Sequence, residues 1–467
     1  MLENVLYTLP ESSLLIGIFV LIWSIVFSKM HGRSAFQIAK IFILISALFS
    51  VLFYNKEILS QYFVATSYTT LTYVFTCAVS LIWLSVSSKW FLAEKTSLSE
   101  YFCILALSCL ICLSLIVKSV HFGILFGLLI MLTVFQYLLF RFSRQSEELY
   151  HTARRYLLIS LVFFALFFAS VALLFPNHLD YASAGSFIAE VSPLQRMFIL
   201  LGILCTLFFF LSLAPFHFWL SEASSTLILP VATYFALIPK MALFGLFFKL
   251  QNSVFSLFAE PLRDVYFVFG ILSVSFAVIG ANASRFLRKI FTSVSLYQAG
   301  VILLVLSTFK EGLISIAYIY TEVYLFVLLG VYICFYAFKI NGEYPLNLNS
   351  LKGVASSRPY IGAAFMLMVA TLMSLPPLSY FMMQFVMLSE IAKFELIVYI
   401  VLLGLLTLLP VYLKVIETVA FLKREHNFDR VDFGLYMYLL LHIAFLTVLL
   451  IKPQILLLQT DILLSIG

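Results

Sequence analysis

Long apolar runs joined by short polar links repeat from one end of the 467-residue chain to the other. A helix needs about 20 predominantly apolar residues to cross a hydrocarbon core. Runs of that kind predict helices near 12–28, 35–53, 67–87, 100–117, 121–140, 155–175 and 196–220. Further ones fall near 228–250, 264–282, 291–308, 312–338, 359–388, 394–421 and 433–452. The pattern is that of an all-α polytopic membrane protein of about fourteen crossings, with 453–467 lying along the interface or ending free. No low-complexity tract, charge block or Gly/Ser linker divides it.

Charge tests this segmentation, because lysine and arginine accumulate on one side of a membrane protein. Of the 28 basic residues, alternating loops put 18 on one side and 8 on the other, and leave Lys240 and Lys414 inside the membrane. Both termini then face the outer compartment and the basic loops the inner one. A misplaced central helix would scramble this bias.

Composition agrees: 63% of residues are hydrophobic and 11% charged, against about 25% charged in ordinary globular domains. The net charge of +6 would suggest an anionic partner in a soluble protein, but here it matters only through its distribution. Nucleic acid is not implied. The six cysteines all lie in apolar runs without metal-type spacing, as small buried hydrophobes do. The start, MLENVLYTLPESSLLIG, lacks a basic n-region and a small-residue cleavage site, so the first helix is expected to stay in the mature protein. A Phe-rich, very apolar chain of this kind would suit organelle encoding.

Two apolar segments are interrupted by proline, the seventh at Pro215 and the twelfth at Pro376 and Pro377, while the helices that follow carry Pro239 before Lys240 and Pro410 before Lys414. Proline removes a backbone donor and forces a kink or an unwound turn, which a membrane tolerates only beside protein or water. Matched interrupted helices in two halves point to a transporter built from repeats, with its site near mid-depth. Lysine at a bilayer centre costs roughly 2.5–3.5 kcal/mol on insertion scales and marks ion or proton pathways. Lys240 is the leading candidate on this ground, the alternative being a structural lysine held by carbonyls near Pro239. His217 stands at the first break, either as a relay suited by its near-neutral titration or as a hydrogen-bonded plug. Glu322 lies within the eleventh segment. Lys414 and Glu417 share a helix face three residues apart. Lys118 and His121 sit at the junction of the fourth and fifth segments, and Glu390 and Lys393 cap the outer end of the twelfth. These groups are proton-pathway candidates or snorkelling and packing pairs. Trp83, Trp90 and Trp219 are expected in interfacial aromatic belts.

The stretch LAPFHFWLSEAS (213–224) with Lys240 behind it resembles the LxPFHxWxPDxY…K signature of the antiporter-like subunits of respiratory complex I. Within them it is most similar to the branch of mitochondrial subunit 2 and its bacterial counterpart, the N subunit. SRFLRKIFTSVSLYQAGVILLVLS (284–307), IYTEVYLFVLLGVYICFYA (319–337) and SLPPLSYFMMQFVMLSE (374–390) resemble other segments of that family in the same order. The segment between 120 and 150 matches worst.

The resemblance implies fourteen helices with two inverted five-helix repeats and broken seventh and twelfth helices. It divides the chain into N-terminal helices (1–99), a first antiporter-like repeat (100–250), a second (264–421) and a C-terminal helix with its tail (422–467). It implies proton translocation coupled to NADH oxidation and ubiquinone reduction, as a subunit of the enzyme and without redox chemistry in this chain. NADH, FMN, iron–sulfur clusters and ubiquinone would lie in other subunits, no cofactor or metal would bind here, and structural lipids could. The partners would be other membrane-arm subunits and membrane lipids. The location would be the mitochondrial inner membrane, both termini toward the intermembrane space, with a bacterial plasma membrane as the alternative.

Three departures matter. The family's seventh-helix lysine falls on Phe210, its twelfth-helix lysine on Gln384, and its fifth-helix acid near Ile130; no Asp or Glu occurs between Glu100 and Glu147. Three readings therefore stand: a pumping subunit working through Lys240 with His217 and Glu322 in support, a structural subunit that has lost pumping, and a stand-alone cation/proton antiporter.

Overall fold

The computed structural model describes residues 8–27, 32–52, 58–59, 62–93, 99–142, 147–174, 178–310, 312–423 and 427–452. Among them the chain is helical almost throughout. The first half holds α1 (Leu9–Phe27), α2 (Gly32–Leu52), α3 (Ser67–Ala93), α4 (Ser99–Lys118), α5 (Phe122–Phe140) and α6 (Glu147–Ala172). Next come a short α7 (Tyr181–Glu190), then α8 (Pro193–Leu211), α9 (Phe218–Thr226) and α10 (Leu229–Ser253). The second half holds α11 (Ala259–Ala283), α12 (Leu287–Leu306), α13 (Leu313–Ala337), a one-turn α14 (Val354–Ser357), α15 (Pro359–Leu372), α16 (Ser379–Glu390), α17 (Glu395–Ala420) and α18 (Phe433–Ile451). A two-stranded antiparallel ribbon, Ile58–Leu59 with Val64–Ala65, links α2 to α3.

Thirteen helices are long and apolar enough to cross a membrane among the described residues, and α15 with α16 supplies a further, broken crossing. This gives the fourteen passes expected. The protein is integral to a membrane. Two elements differ from the sequence expectation. Helix α6 begins at Glu147 and not near 155, because the Glu147–Arg155 stretch is polar and continues the helix beyond its apolar run. The ten-residue α7 is too short and polar-flanked to show as a crossing. Its last carbonyls are capped by Arg196, whose Nε donates to Ile188 (3.1 Å) and whose Nη2 donates to Ala189 (2.7 Å). Helix C-termini leave such carbonyls unpaired and favour a cation there.

The chain forms two compact units. One comprises the described parts of Met1–Leu211 with Thr226–Phe258; the other comprises Ser212–Ser225 and those of Ala259–Ser465. The 100–250 division thus differs from the packing, because Ser212–Ser225 belongs to the second unit. In the first unit α10 is the core element. Every position of its apolar window is buried, against 33% for α2, as expected of a helix that is apolar all round. It packs on α3, α4 and α8. In the second unit α12 and α13 are the most enclosed, at 89% and 83%, while α18, at 28%, turns most of its apolar surface outward.

Helices meet closely where small residues allow it, as membrane interfaces prefer. A side chain on Gly245 would meet Thr72 Cγ2 of α3 at 2.5 Å. One on Gly300 of α12 would meet Ser273 Cβ, Val274 N and Gly270 O of α11 at 2.9–3.1 Å. Tryptophan also departs from the belt expectation. Trp83 is 1% exposed, and Trp90 and Trp219 are each 7% exposed. The Trp83 indole donates to the Pro230 carbonyl at 2.8 Å, so it ties α3 to the first turn of α10.

Gly300→Val should destabilise the second unit by about 1–3 kcal/mol, because two of the atoms in the way are backbone and cannot yield. Gly127→Ala, whose added Cβ has nothing within 4 Å, should leave it unchanged. Thermal unfolding of the two variants in mild detergent checks this.

Candidate functional site

The two proline breaks are built alike. Ser212-Leu213-Ala214-Pro215 and Ser374-Leu375-Pro376-Pro377 each start with a serine in the left-handed region (φ 57° and 54°) and end on a cis X-Pro bond. The offset of 162 residues between them also carries α4, α5 and α6 onto α11, α12 and α13, and α8 to α10 onto α15 to α17. At the first break the Ala214 amide donates to Ser273 Oγ at 3.1 Å, and the His217 carbonyl accepts from the amides of Leu220 and Ser221 to begin α9. At the second, Ser374, Leu375 and Leu378 donate to the carbonyls of Thr371, Ala370 and Leu375, while Pro376 and Pro377 have no amide hydrogen to place. The His217 ring lies half-buried against Phe218 and Phe276, with centroids 4.2 and 5.3 Å away. Its buried Nδ1 has no hydrogen-bond partner among the described residues.

In the first unit, Lys240 is 2% exposed and follows Pro239 inside α10, where the proline withholds an amide from the carbonyl four residues earlier. An ammonium there lies in surroundings of low polarity, where a charge is costly and electrostatic coupling strong. Phe210 is buried as well, 5% exposed, against the rings of Phe164 and Phe209. Ile130, near which the resemblance places the fifth-helix acid, is 37% exposed. The inward polar residues of α5 are Thr133 and Gln136, 1% and 2% exposed. Gln136 Oε1 accepts from Tyr156 OH of α6 at 2.5 Å. Because α5 is apolar nearly all round, no stripe in the sequence fixes which face points inward.

The second unit holds an uncharged counterpart. Gln298 of α12, one repeat offset from Gln136, accepts at Oε1 from both Tyr320 OH and Tyr380 OH at 2.5 Å, and the two tyrosine rings stack at 4.8 Å. Gln384, 3% exposed, accepts from Ser374 Oγ at the second break. Gln298 Nε2, Gln384 Nε2 and Tyr412 OH are buried without hydrogen-bond partners among the described residues. Sequence reasoning missed Gln298 and its tyrosines, which sit inside apolar runs; the Gln136–Gln298 match is the signal that could have found them. Glu322 is 7% exposed within α13, with Tyr318 hydrogen-bonding its carboxylate. Lys414 and Glu417 are exposed on α17 and do not join this buried group. Lys414 lines a pocket of about 500 Å³ with Arg285, Asn347 and Asn349. Lys310, not Lys393, meets Glu390, at 2.5 Å and half exposed, a pair of little energetic weight. No group of three or more His, Cys, Asp or Glu that could hold a metal occurs among the described residues.

Residues 121–409 match the family model described as NADH:quinone oxidoreductase/Mrp antiporter, TM. The chain belongs to that family. Among curated relatives, NADH-quinone oxidoreductase subunit N of Pelagibacter ubique is 23% identical over 441 residues, which cover 92% of both chains. Among solved structures, a chain of respiratory complex I from Thermus thermophilus superposes with a TM-score of 0.80 at 19% identity, covering 95% of this chain and 97% of that one. A chain of the Mrp complex from Dietzia does so with a TM-score of 0.85 at 16% identity, covering 99% and 97%.

Each buried hydroxyl left without its acceptor costs about 1–3 kcal/mol. Gln298→Leu strands two hydroxyls and should therefore lower thermal stability more than Tyr320→Phe, which removes one donor and keeps the acceptor in use. Parallel unfolding curves of the two variants check this, and equal losses would contradict the shared-acceptor geometry.

Proposed function

We propose that this chain is a membrane-arm subunit of a proton-translocating NADH:quinone oxidoreductase, and that Lys240 is its principal proton-carrying group. The observation that carries the reading is a lysine 2% exposed beside a proline in the most enclosed helix of the first unit, in a member of this family. The end-to-end similarity to a bacterial N subunit supports the assignment to a complex. NADH oxidation and quinone reduction belong, on this reading, to other subunits that carry the nucleotide, flavin and iron–sulfur groups. The membrane is the mitochondrial inner membrane or a bacterial plasma membrane, with both termini on the outer side.

The chemistry follows from Coulomb's law in a poorly polarisable interior. At an effective dielectric near 20, moving a unit charge from 8 to 4 Å changes the interaction by about 2 kcal/mol. That is enough to load or unload a buried amine as a neighbouring charge shifts. His217 at the break and Glu322 in the second unit are the supporting groups we assign; Lys414 and Glu417, being exposed, are the weakest members of the pathway set. A second reading has its own observation. Phe210 and Gln384 are buried where the family resemblance places lysines, so the subunit could fill its slot in the arm without translocating.

Lys240→Ala in the assembled, vesicle-reconstituted complex distinguishes the two. Fewer protons moved per NADH oxidised is the expected result. An unchanged ratio with intact assembly would favour the slot-filling subunit.

A further inference from the structure

The first unit holds a second buried charge cluster that the sequence reading did not assemble. Glu11, in the first turn of α1, and Lys118, in the last turn of α4, are 107 residues apart yet meet at 2.6 Å, and they are 6% and 7% exposed. The same carboxylate oxygen of Glu11 accepts from Ser114 Oγ. Tyr73 of α3 lies beneath the ammonium, its ring 5.5 Å from Lys118 Nζ. Its hydroxyl meets Ser46 Oγ of α2, which donates to the Pro10 carbonyl at 2.8 Å. Four helices therefore close around one acid and one base.

A second lysine adjoins them. Lys249 Nζ donates to the carbonyls of Val117 and Ser119, at 3.1 and 2.7 Å, on either side of Lys118. It lies 5.9 Å from the ring of Tyr181, whose hydroxyl meets Ser119 Oγ. Lys249 is on α10, nine residues beyond Lys240, or about 14 Å along the axis at 1.5 Å per residue. The helix that carries the central lysine thus ends against this cluster. Two lysines, one buried and one half-buried, thus adjoin a single buried carboxylate. That is uneconomical for a static clamp, which a single pair or an apolar contact would serve as well.

We propose that Glu11 and Lys118 form a proton-exchanging acid–base pair that terminates the Lys240 pathway at the face where α1 begins. This inference rests on the proton-translocating reading above. The step moves one proton. The Lys118 N–H bond breaks as a Glu11 O–H bond forms, giving a neutral amine and a neutral acid. The acid then releases the proton to water at the adjacent face, and the amine takes another from the Lys240 side. Besides Lys249, the titratable groups facing the pair among the described residues are Tyr73 and Cys77 of α3.

Glu11→Gln keeps an oxygen for Lys118 and Ser114 but cannot accept a proton. In the vesicle-reconstituted complex it should lower the protons moved per NADH oxidised, and Glu11→Asp should restore the ratio. An unchanged ratio in Glu11→Gln overturns the proposal. So does a full ratio in the apolar double variant Glu11→Leu with Lys118→Met, which would make the pair a packing clamp only. Failure of the underlying reading looks different: the wild-type chain would not co-purify with NADH:quinone activity. The same variants would then be read by proton flux in proteoliposomes of whatever native complex holds the chain, with loss of flux in Glu11→Gln still expected.

Discussion

In hydrocarbon an unpaired amide or carbonyl costs several kcal/mol, so a chain can leave helical geometry inside a membrane only where every donor finds a partner. The structure depends on this constraint at the two Ser-Leu-X-Pro breaks, and it meets it by two means. At the first, an external side chain, Ser273 on α11, takes the Ala214 amide, and the break is buried at Ser212, Leu213 and Ala214. At the second, two prolines in succession remove the donors; Ser374 and Leu375 donate back onto the end of α15, and Leu378 donates to Leu375 within the break. The chain passes from one compact unit to the other at the first break, which makes Ser273 and Gly300 beside it a structural joint of the second unit.

With the backbone provided for, the two halves diverge in side-chain polarity. The shared offset places Gln136 and Gln298 at equivalent positions, each accepting from tyrosine. It also carries Lys240 onto Leu402, which is 41% exposed. Buried ionisable side chains occur in both units, Glu11, Lys118 and Lys240 in the first and Arg288, Glu322 and His442 in the second. The second unit keeps amides and phenols around Gln298 and Gln384, with Glu322 as its deeply buried acid. A neutral amide can orient a proton wire but cannot store a charge.

Much of this was legible in the sequence, for definite reasons. Fourteen crossings followed from run length, the breaks from paired prolines, and Lys240 from the rarity of a lysine within an apolar run. Rotation of the helices was not legible. A segment that is apolar on every side carries no stripe, so nothing in the sequence of α5 shows that Thr133 and Gln136 point inward. Trp83 was assigned to an interface when it donates across to α10. Pairing over long sequence distance was not legible either. Glu11 and Lys118 each read as a helix-end residue, and only the packing of α1 on α4 brings them together.

Proton exchange between Lys240 and the face where α1 begins is tested most directly by a map of the assembled complex at a resolution that shows ordered water. The expected result is a chain of waters along α10 from the Lys240 ammonium to Lys249, Lys118 and Glu11. A dry, apolar packing between Lys240 and that cluster, with the ammonium held only by protein carbonyls, would contradict it.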